Sequence, residues 1–93
     1  MYARIVTGQL RQDRVDEATN AWRERVAPQI AQQAGFQALH LYVDRATGKT
    51  VVIVHYASEA DLAAGQQGFP ERVAAIRDLL VGQPTVEQYE VAM

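Results

Sequence analysis

Four consecutive apolar residues, Val51-Val52-Ile53-Val54, constrain this chain more than any other feature. β-Branched residues favour extended backbone, and a strand sends alternate side chains to opposite faces of its sheet. A strand that is apolar on both faces needs cover on both. The run is the second arm of Phe36–Tyr56, FQALHLYVDRATGKTVVIVHY, which reads as two strands joined by a tight turn. Both histidines and two of the four tyrosines lie in this stretch, so a pocket would be lined by it.

Arg45-Ala46-Thr47-Gly48-Lys49 suits a three-residue loop closed by a left-handed Gly48. That register pairs Val43 with Val51, Leu41 with Ile53 and Leu39 with His55. One face then carries Leu39, Leu41, Val43, Val51, Ile53 and His55. The other carries Phe36, Ala38, His40, Tyr42, Val52, Val54 and Tyr56. A slip of one residue would exchange the partners of each face, because side chains alternate.

The flanking segments supply helices and two further strands. Tyr2–Leu10 predicts a first strand. Asp13 is placed to cap a helix, with Asp16 completing an imperfect capping box, and Val15, Ala18, Trp22, Val26 and Ile30 form its buried stripe. Pro28 is expected to kink or restart this helix, and Gly35 to end it. Ser58 opens a short second helix with Glu59 and Asp61 in its first turn. Pro70 starts a better-formed helix with Val73, Ile76 and Leu80 inward, and Thr85–Val91 is the last strand. The order β-α-β-β-α-β predicts an α+β, ferredoxin-like fold over residues 1–93 as one domain, with a four-stranded antiparallel sheet and helices on one face. Helices on one face leave the other bare and apolar. The expected solution is a homodimer in which two sheets pack face to face. A chain of 93 residues buries only roughly 60–65% of its unfolded surface, so it gains from such pairing.

Composition narrows the partners. The net charge is −2, and the cationic residues are scattered among acids, so nucleic acid is not an expected partner. There is no cysteine, which removes thiol chemistry, disulfides and cysteine metal sites. The apolar length of Met1–Val6 is too short for a signal peptide, and no stretch approaches a membrane span. No membrane partner is expected, and the cytoplasm is the expected location. No phosphate-binding loop, nucleophile elbow or metalloprotease signature is present.

The helix Val15–Ala34 with its Pro28, the Ala34-Gly35-Phe36 step, the Asp44–Lys49 hairpin and the passage His55-Tyr56-Ala57-Ser58-Glu59-Ala60-Asp61-Leu62 together resemble the antibiotic biosynthesis monooxygenase (ABM) branch of the dimeric α/β-barrel superfamily. In that family the last passage is an aromatic residue, usually Trp, followed by a Ser-capped helix; Tyr56 takes the aromatic place here. The resemblance implies a dimeric α/β barrel with a pocket between the sheet and the helices of each protomer. It implies oxidation of a small aromatic or polyketide-like compound by molecular oxygen, with no metal, flavin or nucleotide cofactor. Some relatives degrade haem with an Asn, Trp and His arrangement. The nearest positions here hold Val6 or Thr7, Gly65 and Ala75, which argues against haem degradation.

In the preferred register His40, Tyr42 and Tyr56 share one face. The functional reading makes His40 a proton acceptor for a phenolic substrate, with Tyr56 its catalytic companion and both tyrosines donating hydrogen bonds to substrate oxygens. The structural reading makes all three amphipathic residues of a dimer interface. Trp22 is core or a pocket wall that binds substrate. Arg4, on a buried-looking strand, either binds an anion or pairs with Glu87 or Glu90. His55 reads as structural. His40 and His55 fall on opposite faces and lack an acidic third ligand, so no metal site is expected. A non-catalytic dimeric module that binds a small hydrophobic ligand, or serves as a stress-related accessory protein, is the alternative to an enzyme.

Overall fold

In a computed structural model spanning Met1–Met93, strands β1 (Tyr2–Gln9), β2 (Phe36–Val43), β3 (Lys49–Tyr56) and β4 (Thr85–Glu90) form one sheet in the order β2-β3-β1-β4. Every neighbouring pair is antiparallel. The apolar run of β3 is therefore central, between β1 and β2, as a strand apolar on both faces requires. The helices are α1 (Val15–Ala21), α2 (Ala27–Ala31), α3 (Glu59–Gly65) and α4 (Phe69–Ala75). Their buried residues Ala18, Ala21, Ile30 and Leu62 pack in one cluster with Val52, Val54 and Tyr56 of β3. This is the ferredoxin-like α+β arrangement expected from the sequence.

The register of the hairpin differs from expectation by one residue. Val43 stands opposite Thr50, Leu41 opposite Val52 and Leu39 opposite Val54. Asp44 causes the shift. Its backbone N–H donates to Lys49 O at 2.8 Å, and its carbonyl accepts from Gly48 N–H at 2.7 Å. Its Oδ1 accepts from Ala46 N–H at 2.9 Å, an Asx turn. The loop therefore holds four residues, Arg45–Gly48, and Gly48 takes φ +82° to close it. The faces are recombined accordingly. Leu39, Leu41, Val43, Thr50, Val52, Val54 and Tyr56 face the helices. His40, Tyr42, Val51, Ile53 and His55 face away. A bulge at Gln37 returns Phe36 to the helix side, opposite Tyr56.

Pro28 restarts the first helix, as one of the two expectations had it. Between α1 and α2 the backbone widens into one π turn, Trp22–Val26, in which Ala27 N–H donates to Trp22 O. The wider turn relieves the clash a proline ring makes with the carbonyl four residues back, and Pro28 sits in the first turn of α2. The expected Asp13 cap does not form. A 3₁₀ turn, Gln12–Arg14, precedes α1, whose N-cap is Arg14 with no side-chain cap bond. Asp16 instead pairs with Arg45 at 2.8 Å, on the surface. The Ser58 cap does form: its Oγ accepts from Asp61 N–H at 3.1 Å and donates to Asp61 Oδ2 at 2.9 Å. No helix is long and apolar enough to cross a membrane.

Gly65, at the end of α3, is buried against the sheet. A Cβ there would lie 2.5 Å from Tyr56 Oη and 2.9 Å from Gln33 Oε1. Gly65→Ala should therefore destabilise the fold by about 1–3 kcal/mol, the usual cost of overpacking, read as a lower urea midpoint at unchanged slope. The loss should shrink in part in a Tyr56→Phe background, where the nearest blocking atom, the hydroxyl, is gone while the ring carbon 2.7 Å away remains.

Candidate functional site

Between the inner sheet face and the helices lies a cavity of about 40 Å³. Val52 and Val54 of β3 form its floor, Trp22 and Val26 of the π turn one wall, and Phe69 and Val73 of α4 another. Alternation along the strands brings these valines inward, and the π turn presents Trp22 and Val26 to them. Trp22 is thus half-buried on the cavity wall, so its expected substrate-binding position is also where the helix packs.

One end of the cavity is cationic. Arg4 points inward because it stands opposite Val54 across the β1–β3 ladder, and it is only 1% exposed. Its Nη2 donates to Tyr56 Oη at 2.9 Å, its Nη1 reaches Gln66 Oε1 at 3.4 Å, and its Nε has no partner. The guanidinium carbon lies 5.4 Å from the centre of the Tyr56 ring, within cation–π range. Tyr56, wholly buried, donates its hydroxyl proton to Gln33 Oε1, and Gln33 Nε2 donates to Gly65 O at 3.2 Å. The hydrogen bonds run in one direction from Arg4 through Tyr56 and Gln33 to a backbone carbonyl. The one proton Tyr56 could offer a substrate is already committed, so in this arrangement Arg4 is the donor that remains.

A second guanidinium lies beside the first. Arg72 of α4 is 8% exposed and lines the same cavity. Its Nη1 donates to Gln67 O and its Nη2 to Gly65 O, each at 3.0 Å. These carbonyls end α3, where a cation complements the helix dipole. Burial, and after it the charge of Arg4, hold the Arg72 pKa below the ordinary guanidinium value. A charged residue on a short helix is ordinarily solvated, and Arg72 is not. Its position between Phe69 and Ile76, at helical spacing on the inward stripe, was the signal for burial.

The ion pair expected for Arg4 is absent. The ion pairs of the chain join Arg14 to Glu17 and Asp78, and Arg45 to Asp16. Glu87 stands opposite Ile5, on the outer face, and Glu90 accepts a hydrogen bond from Tyr2 at 3.2 Å. The residue opposite Arg4 on β4 is the neutral Gln88. Burying a charge without a counter-charge costs roughly several kcal/mol, so two such arginines at one cavity are a costly feature.

His40 and Tyr42 do not join Tyr56. The shifted register puts them on the outer face, their ring centroids 6.2 Å apart, with Tyr42 54% exposed. The expected His40–Tyr42–Tyr56 cluster is split by the thickness of the sheet. His55 shares the outer face with His40, one diagonal step away, and no third His, Asp or Glu completes a metal-sized group with them. Gln33, Gly65 and Gln66 enter the site without any signal in the sequence pattern, because they come from a loop and a helix end brought in by packing.

The model of a family described as antibiotic biosynthesis monooxygenase matches residues 1–68. Among solved structures, a provisionally named antibiotic biosynthesis monooxygenase from Nitrosomonas europaea superposes with a TM-score of 0.79 at 17% identity, covering 100% of both chains. A conserved protein from Methanosarcina mazei gives 0.75 at 15% identity, over 96% of this chain and 91% of the other. SnoaB from Streptomyces nogalater, a cofactor-independent oxygenase, gives 0.73 at 16% identity, over 99% and 93%. At these identities the likeness is one of fold. No curated protein matches in sequence.

Tyr56→Phe removes the acceptor of Arg4 and the donor to Gln33 together. Two buried polar atoms lose a partner, so stability should fall by about 1–3 kcal/mol, measured by urea unfolding. A change within experimental error would show that the hydroxyl is not tied into the fold as described.

Proposed function

The chain belongs to the antibiotic biosynthesis monooxygenase family, and on that premise we propose that it oxidises a small aromatic or polyketide-like substrate with molecular oxygen and no cofactor. The observation that carries this reading is an apolar cavity under the sheet with Arg4, itself held by the Tyr56 hydroxyl behind it, in its lining. The fold shared with a cofactor-independent oxygenase adds support. A hydroxylated aromatic with an activated methylene loses a proton to become an electron-rich anion. Oxygen adds to that carbon; one atom stays as a carbonyl and the other leaves as water. The balance, R₂CH₂ + O₂ → R₂C=O + H₂O, needs no external reductant. In this scheme the cavity excludes bulk water, Trp22 and Phe69 flank the ring, and Arg4 stabilises the negative oxygen, an interaction strengthened by low polarity. The half-buried Trp22 and Phe69 are the wall residues such a ring would meet.

One observation favours a second reading, a non-catalytic binding module. The cavity lining contains no His, Asp or Glu to take the substrate proton. Oxygen uptake separates the two readings. The protein should accelerate conversion of a dihydroxyanthrone to its quinone in oxygenated buffer, followed by absorbance, and Arg4→Met should lower that rate about tenfold or more. His40→Ala should leave it within about twofold, since His40 lies across the sheet. No acceleration over buffer, across a panel of hydroxylated aromatics and quinols, would favour the binding module.

We further propose that a second copy of the chain covers the outer sheet face and completes the dimeric α/β barrel. That face carries Ile5, Val51 and Ile53, with Tyr42 54% and Tyr89 51% exposed, and His40 and Tyr42 would then lie at the seam. Sedimentation at micromolar concentration should give a dimer. Ile53→Glu should give a monomer, because each copy would place a carboxylate in the apolar contact. A monomeric parent would overturn the assembly without touching the cavity.

A further inference from the structure

We propose that Arg4 and Arg72 together form a receptor for a single oxyanion, the carboxylate or ionised hydroxyl of a small ligand whose apolar body fills the cavity. The inference rests on the reading above for where the ligand sits, and adds what that ligand must carry.

The argument begins with unused donors. A guanidinium has five N–H groups, and Arg4 spends them on only Tyr56 Oη and, at 3.4 Å, Gln66 Oε1. Its Nε–H, fully enclosed, has nothing to donate to. A buried arginine held for structure normally exhausts its donors on carbonyls or carboxylates. Arg72 does so in part, at the end of α3; Arg4 does not. Every acceptor around the pair is a neutral dipole: a phenol, a side-chain amide and two backbone carbonyls. No carboxylate forms an ion pair with either guanidinium, and the charge of Glu71 acts on Arg72 only from a distance, less than burial and Arg4 do. The unliganded site therefore holds two neighbouring positive charges in an apolar wall, and the depressed Arg72 pKa has that repulsion among its causes.

One monoanion relieves this arrangement and a neutral ligand does not. A carboxylate matches the flat fork of a guanidinium, and an ionised hydroxyl accepts from two donors at once. A neutral isostere could accept from the Arg4 Nε–H through its carbonyl, but it would leave both positive charges without a counter-charge. The groups that meet Arg4 are Tyr56 and Gln66, with Arg72 beside them, and none is a carboxylate.

The test uses the full chain and two matched pairs, acetate with acetamide and benzoate with benzamide, read by calorimetric titration and by thermal unfolding. Acetate presents the carboxylate alone; benzoate adds an apolar body. At least one anion should bind about tenfold or more tighter than its amide and raise the melting temperature. 4-Nitrophenol, whose ionised form absorbs in the visible, separates the two anion sources. Ionisation at lower pH in the presence of protein identifies a receptor for ionised hydroxyls, and binding of carboxylates alone identifies a carboxylate receptor. Arg4→Met should abolish the anion preference and should not lower the melting temperature of the unliganded protein, because it removes an uncompensated charge. Arg4→Lys, which keeps the charge and loses the fork, should retain part of the preference. If Arg4→Met does not fold, the parent's contrast between anion and amide decides alone. Equal binding of anion and amide in both pairs, with no shift in nitrophenol ionisation, overturns the proposal. None of these probes can be turned over, so anion preference without oxidation sinks only the oxygenase reading, and oxidation without anion preference sinks only this one.

Discussion

The turn at Asp44 decides what this sheet shows on each side. Its carbonyl, its N–H and its carboxylate each hold one end of the loop, and the four-residue connection they stabilise sets the pairing of β2 with β3. Burial of β3 alone could not have set it, because the run Val51-Val52-Ile53-Val54 is apolar in either phase. A slip of one residue would carry His40 and Tyr42 to the side of Val52 and Val54 and turn Leu39, Leu41 and Val43 away, so the alternation of β2 works with the turn. A few hydrogen bonds at an exposed loop thus help to determine whether a histidine lies at the cavity or beyond the sheet.

Beneath the sheet the dependencies form a chain. Gly65 has no side chain, which leaves room for the Tyr56 hydroxyl. Tyr56 can then donate to Gln33 and accept from Arg4. Arg4 and Arg72 converge on the same end of the cavity, and Arg72 also ties the last carbonyls of α3 to α4. The interactions that close the helical layer over the sheet are therefore the ones that gather positive charge there. A fold optimised only for stability would place apolar side chains at these positions. Retained buried charge of one sign reads more naturally as function held at a cost in stability.

The element order, the Ser58 cap and the place of Pro70 were legible in the sequence because each rests on local chemistry. Ser58 and Asp61 satisfy each other within one turn, and Pro70 occupies a position where a missing N–H costs nothing. The Asp13 cap failed for the same reason in reverse. The 3₁₀ turn before α1 takes up Asp13, and Asp16 finds Arg45, a partner distant in sequence. Arg4 was read correctly as inward, from strand alternation, but its expected acid partners were not reachable. Glu87 has the wrong phase on β4, and Glu90 lies opposite Tyr2. Which acid faces which base depends on how β4 registers against β1, and one-dimensional pattern does not hold that information.

The π turn has a consequence for how the first helix is encoded. Ala18, Trp22, Val26 and Ile30 recur every four residues. In a regular α-helix each such step overshoots a full turn by about 40°, so three steps would creep around the axis by roughly 120°. One additional residue in a wide turn takes back about 100° of that creep. The turn at Trp22–Val26 thus works as a phase corrector. It lets a stripe with the wrong period stay on one side, and it lets Trp22 and Ile30, on either side of the wide turn's last residue, face the same cavity. In this helix a uniform four-residue spacing with a proline inside it is accommodated by one wide turn.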